Sequence, residues 1–268
     1  MTSIQDVQGS KGSGANFSSV PILDYSLLSS PTTRPQFILQ LRHALINVGF
    51  LYLSNHPVPA ETINSLTSYI PRLFALPQHE KDKIAMANSP QFLGYSKLGD
   101  ELTKGKVDWR EQFDFATPHV CRWKEGVTPK EEGYLRLWGP SQVFQPLLFH
   151  FRIPNHTHIC EIQWPEESLI PGFRTTVEQY LSQAQALSYE FSSLLAEAFS
   201  ISPDAVAQFY DVDDNMQHRV KLVRYPVRVA QGIDDAEAQG VGPHYDAGFL
   251  TFVSCSSFPS PGVLVWFY

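Results

Sequence analysis

The sequence predicts an α+β protein. Three observations carry this. Two segments with apolar residues at helical spacing, separated by a short β-rich run, lie between residues 20 and 75. A long amphipathic stretch covers 174–199. Beyond it the residues of 220–225 alternate like a strand.

The elements follow in order. Residues 1–19 carry Gly and Ser and no apolar run, which reads as a loose tail and not a secretory signal. Val20-Pro21-Ile22-Leu23-Asp24 reads as an edge strand, because a proline is tolerated only where its missing N–H is not needed. Phe37, Ile38, Leu41, Ala44, Leu45 and Val48 share one helical face, and Gly49 supplies the stop. Phe50-Leu51-Tyr52-Leu53 is a strand, Asn55-His56-Pro57 a turn, and Pro59 suits the first turn of a second helix with Ile63, Leu66, Ile70 and Leu73 inward. After a break at Pro77 comes a short charged helix over 80–86, then loop and strand over 90–118. Helix 174–199 buries Val177, Tyr180, Leu181, Ala184, Leu187, Phe191, Leu194, Leu195 and Ala198. The strand at 220–225, an acidic turn at 234–237 and the segment 241–254 complete the chain, with no internal repeat.

Composition narrows the function. The 268 residues are 43% hydrophobic and 18% charged, which suits a globular chain with a sizeable core. A net charge of −7 argues against a nucleic-acid partner, since phosphate neutralisation needs clustered Lys and Arg. No apolar run reaches membrane-spanning length. Cys121, Cys160 and Cys255 are few, odd in number and far apart, so they suggest neither a disulfide framework nor a Cys metal site. Reduced thiols and a cytoplasmic location are expected, with oligomeric state unreadable.

The chemistry concentrates in Gly242-Pro243-His244-Tyr245-Asp246-Ala247-Gly248-Phe249-Leu250-Thr251. On an extended strand residues i and i+2 share a face, so His244 and Asp246 could bind one metal ion while Tyr245 turns away. One imidazole and one carboxylate are two of the three protein ligands in the facial triad of non-haem iron(II) oxygenases. Taken alone, the pair also fits a strand-end histidine beside a surface aspartate. His156 and His158 share the spacing but lack a framing carboxylate, and His43 and His56 read as surface or turn residues.

The flanking segments add weight. Val20-Pro21-Ile22-Leu23-Asp24, Val48-Gly49-Phe50-Leu51-Tyr52-Leu53-Ser54-Asn55-His56, Gly94-Tyr95 with Asp108-Trp109-Arg110-Glu111-Gln112-Phe113-Asp114-Phe115, Leu222-Val223-Arg224-Tyr225-Pro226, and the His244/Asp246 segment occur in this order. Together they resemble the motifs of the iron(II)/2-oxoglutarate-dependent dioxygenases of the isopenicillin-N-synthase-like branch. The resemblance implies a mainly β core, a double-stranded β-helix or jelly roll, preceded by a helical region. It implies Fe(II) held by His244 and Asp246, 2-oxoglutarate as cosubstrate decarboxylated to succinate and CO2, O2, and a small organic substrate. It also implies Tyr225 near the cosubstrate carboxylate; a core tyrosine with a satisfied hydroxyl is the alternative reading. Trp109 and Asp114 read as structural. No catalytic residue is expected beyond the metal ligands. The implied organisation is a tail over 1–19, a non-haem dioxygenase N-terminal region over 20–135, a helical segment over 136–215, and the start of the jelly-roll domain over 216–268.

Two departures from the family pattern stand out. The family's distal His and its 2-oxoglutarate-binding Arg have no counterpart, since no His or Arg follows Asp246. The chain is therefore expected to be truncated and impaired as an enzyme, with a non-catalytic dioxygenase-derived fragment or interaction module as the alternative. The second departure is an insertion. The family commonly runs from Gly139-Pro140-Ser141-Gln142 straight into Trp164-Pro165, whereas here 143–163 intervene without helical or strand periodicity. Both 143–163 and 253–268 begin with Val, whose codons start with GT, and 143–163 ends with Gln, whose codon CAG ends in AG. Unspliced intron sequence accounts for both; a real surface loop and a real variant strand are the alternatives.

Overall fold

A computed structural model describes residues 19–89, 93–117, 162–207, 217–227, 240–244, 249–254 and 263–267. Asp246, His156, His158, the three cysteines, the tail over 1–18, the acidic turn at 234–237 and residues 143–161 of the expected insertion lie outside them. The chain divides into two compact units, Met1–Asn55 with Leu250–Phe267, and His56–Phe249.

In the first unit, β1 (Ile22–Asp24) runs parallel to β2 (Phe50–Ser54), with Leu23 opposite Leu53. Parallel neighbours need a crossover, and α1 (Arg34–Asn47) supplies it. β1 is an edge strand as expected, but begins two residues later than the sequence suggested, at Ile22. Pro21 has no N–H to pair and contributes only its carbonyl, which accepts from the Tyr52 N–H at 2.8 Å. Asp24 caps the short 3-10 turn Tyr25–Ser29: its Oδ1 accepts from the Ser26 N–H and from Asn55 Nδ2, both at 2.9 Å. α1 buries Phe37, Leu41 and Ala44 completely. It ends at Gly49, whose φ of +88° is open to glycine at little cost and whose N–H donates to the Ala44 carbonyl. β2 buries Leu51 and Leu53. Its other edge pairs antiparallel with β9 (Val263–Phe267), which pairs in turn with β8 (Leu250–Ser254), giving the order β1-β2-β9-β8. Residues 263–267, inside the segment that departs from the family pattern, are thus a strand paired on both edges.

The second unit packs α2 (Ala60–Phe74) against α4 (Phe173–Ala198), with a three-stranded sheet of β3 (Gly94–Ser96), β6 (Glu111–Ala116) and β7 (Arg219–Arg224) in the order β3-β6-β7. Pro59 is the N-cap of α2, and Pro71 lies in its last turn. The charged helix α3 spans Gln78–Lys83, earlier than its expected 80–86, because Pro77 is its N-cap. A two-strand hairpin, β4 (Leu102–Thr103) and β5 (Lys106–Val107), precedes β6, and a short helix α5 (Pro203–Ala207) follows α4.

The core joins Leu66, Leu73 and Phe74 of α2, Tyr95, Phe113 and Phe115 of the sheet, and Phe173, Val177 and Leu181 of α4. Trp164 stacks on Phe115 at 4.6 Å with 9° between the rings, and Phe173 meets Phe115 edge-on at 5.4 Å. Gln163, just before that tryptophan, donates through Nε2 to the carbonyls of Ala85 and Leu93, both at 2.9 Å. Among the described residues no helix is long and apolar enough to cross a membrane.

Candidate active site

β6 is buried along its whole length. Glu111, Phe113 and Phe115 alternate onto the face that carries the core. Glu111 accepts from the Tyr95 hydroxyl at 2.7 Å and pairs with Lys81 at 3.5 Å and with Arg224. On the other face Gln112 donates from Nε2 to Glu101 at 2.7 Å and to Asp114 at 2.9 Å. Burial pushes the Asp114 carboxyl up to about 6, against the pull of Lys221 at 3.9 Å. These contacts fit the structural reading of Asp114.

Three motifs that are far apart in sequence converge beside this strand. Asp108, 1% exposed, stands just before β6. Its Oδ1 accepts from the Gly242 N–H at 3.2 Å. Its Oδ2 accepts from the Thr103 hydroxyl at 2.7 Å and faces Arg110 at 3.3 Å. Arg110 also pairs with Glu101 at 2.6 Å. Tyr225 follows β7, is half exposed, and lays its ring against Gly240, where a Cβ would come within 2.9 Å of the ring carbons. Gly240 therefore admits the tyrosine by having no side chain.

His244 is exposed, and its Nδ1 lies 2.8 Å from the Gly242 carbonyl. That oxygen can only accept, so in the neutral ring the proton sits on Nδ1 and the lone pair on Nε2. Metal-ligating histidines are commonly oriented in this way. The donor chemistry of His244 thus fits a metal ligand. Asp246 lies outside the described residues, and among the described residues no group of three His, Cys, Asp or Glu is placed to hold a metal. The resemblance implies a metal strand over 242–251; among the described residues of that segment Leu250 and Thr251 lie in β8, while 242–244 belong to no strand. Pro243 has no N–H for a ladder, which disfavours a strand there. His56, expected as a surface or turn residue, lies in the turn after β2 and is half-buried, and burial holds its imidazole below its usual range; His43 is exposed as expected. Sequence reasoning quoted Asp108 only as part of a motif.

Residues 20–142 match the family model described as the non-haem dioxygenase in morphine synthesis N-terminal region. The chain is 40% identical over 238 residues to the 2-oxoglutarate-dependent dioxygenase frbJ of Dothideomycetidae sp. (strain 11243), covering 89% of this chain and 56% of that protein. It is 33% identical over 240 residues to a 2-oxoglutarate-dependent dioxygenase of Gibberella zeae, covering 89% and 55%. The chain thus spans just over half the length of these relatives. A full-length Neurospora crassa protein, solved in complex with alpha-KG and thymine, superposes with a TM-score of 0.66 at 18% identity, over 92% of this chain and 73% of that one. The fold is therefore of the α+β, jelly-roll type of the 2-oxoglutarate/Fe(II) oxygenases. The chain belongs to the iron(II)/2-oxoglutarate-dependent dioxygenase family. Iron(II) and 2-oxoglutarate are that family's metal and cosubstrate.

Proposed function

We propose that this chain carries part of the active site of an oxidoreductase that oxidises a small organic molecule while 2-oxoglutarate is decarboxylated to succinate and CO2. The observation that supports it most is the His244 ring. Its Nδ1 proton is committed to the Gly242 carbonyl at 2.8 Å, and Nε2 carries the lone pair a metal needs. Asp246 would add a carboxylate ligand. Bound iron(II) would supply the electrons that couple O2 to cosubstrate decarboxylation. The protein's own residues would orient and exclude: Tyr225, packed on Gly240, would stand by the cosubstrate carboxylate, and the buried polar network beside β6 would keep the ligand segment in place. His244 and Asp246 are two of the family's three ligands, and no His follows Asp246 in these 268 residues.

The test is anaerobic Fe(II) titration of the 268-residue chain with and without 2-oxoglutarate, followed by succinate release on admitting air. Weak Fe(II) binding that disappears in His244→Ala, with little or no succinate, is expected. Unchanged binding in His244→Ala would remove His244 from the ligand set. Robust succinate release would show that two protein ligands suffice.

A further inference from the structure

We propose that Asp108 is a positioning residue for the metal ligand, acting on His244 through the backbone of Gly242. The inference rests on the reading of His244 as a ligand and goes beyond it by naming what aims the ring. The Gly242 residue is held at both ends. Its N–H donates to Asp108 Oδ1 at 3.2 Å, and its carbonyl accepts from His244 Nδ1 at 2.8 Å. One buried carboxylate and one backbone residue therefore link the strand β6 entry to the imidazole. Asp108 is itself fixed. The Thr103 hydroxyl occupies Oδ2 at 2.7 Å, Arg110 lies 3.3 Å from the same oxygen, and the Asp108 N–H donates to the Glu101 carbonyl at 2.9 Å.

The segment around Gly242 needs such an anchor. The 240–244 stretch lies in no strand, and Pro243 offers no N–H, so no sheet ladder holds it in register. A charged acceptor on the Gly242 N–H is a stronger tie than a neutral one. The bond spans 134 positions of sequence and lies within one compact unit. With the tie in place, the Gly242 carbonyl meets Nδ1 and Nε2 is left as the metal-facing nitrogen. Without it, the carbonyl drifts and the ring samples both tautomers.

The experiment uses the full chain labelled with 15N histidine, free of metal, at a pH where the rings are neutral. The His244 signal is identified by its loss in His244→Ala. The wild-type ring should show the Nδ1–H tautomer. In Asp108→Ala the Nε2–H form should gain, and Mn(II) binding, followed by the electron paramagnetic resonance of the free ion, should weaken by about ten-fold or more. Asp108→Asn retains an oxygen for the Gly242 N–H and should recover most of both properties. Should Asp108→Ala fail to fold, Thr103→Val leaves the carboxylate but removes one of its fixed partners, and should shift the same two readouts in the same direction. A folded Asp108→Ala or Thr103→Val chain with wild-type tautomer and wild-type Mn(II) affinity overturns the proposal. Unchanged Mn(II) binding in His244→Ala would instead overturn the ligand reading, while the tautomer shift would still report on Asp108.

Discussion

Asp114 carries an ionisable group into a strand with no open face, and its titration should be visible in the stability of the whole chain. Its carboxyl is raised to about 6 from an ordinary 3.8, chiefly by burial. The folded chain therefore keeps a proton that the unfolded chain has released. Stability linked to this group is full below about pH 4 and falls as pH rises through about 6, by about 3 kcal/mol at most. Asp114→Asn should flatten that fall and raise the melting temperature at neutral pH relative to pH 4; a variant with an unchanged pH slope would show that another group causes it. At this scale the sequence was partly legible. His244 and Asp246 draw notice through their i, i+2 spacing, but it is the flanking motifs that weigh the pair toward a shared ligand. The role of Asp108 did not, because its partner Gly242 lies 134 residues away and offers only a backbone N–H, which no residue code reveals.

At the scale of elements, apolar periodicity was a reliable guide wherever one face alone is buried. α4 spans Phe173–Ala198 against an expected 174–199, with Val177, Leu181, Leu187 and Phe191 inward. Ser192 was missed, although it is buried: its hydroxyl donates to the Ser188 carbonyl at 2.8 Å, which removes the penalty that made a serine look like a surface residue. β6 shows the opposite difficulty. Its alternation of polar and apolar residues suggests one wet face, yet both are buried, because Glu111 and Asp114 are compensated by Arg224, Lys81, Gln112 and Lys221. The β4–β5 hairpin turns on Lys104 and Gly105, with φ of +51° and +79°; a lysine in the first position hides a turn usually written Asn-Gly. Gly94 in β3 explains its own motif. A Cβ there would lie 2.3 Å from the Ile84 carbonyl oxygen, at a φ of +124°. Gly94→Ala should destabilise by about 3 kcal/mol or more, read from denaturant unfolding. A loss below about 0.5 kcal/mol would show that the Ile84 backbone gives way freely.

At the scale of the whole molecule, the insertion and the sheet topology make separate claims. Removing 143–163 joins Gln142 to Trp164, so a glutamine still precedes the tryptophan. It could remake the two hydrogen bonds that Gln163 makes to Ala85 and Leu93. We expect the deletion variant to keep its near-ultraviolet circular dichroism and its melting temperature within a few degrees. A chain that no longer folds would show that the inserted residues are part of the structure.

The β2–β9 pairing has a consequence for biosynthesis. The unit His56–Phe249 is contiguous and has all its residues once position 249 has left the ribosome, whereas the sheet that joins Leu51 to Val265 must wait for a strand made more than two hundred residues later. Until then β1, α1 and β2 emerge with an unpaired strand edge, which is the kind of surface that holdase chaperones bind. The unit begun before His56 is in this way completed after the unit that follows it.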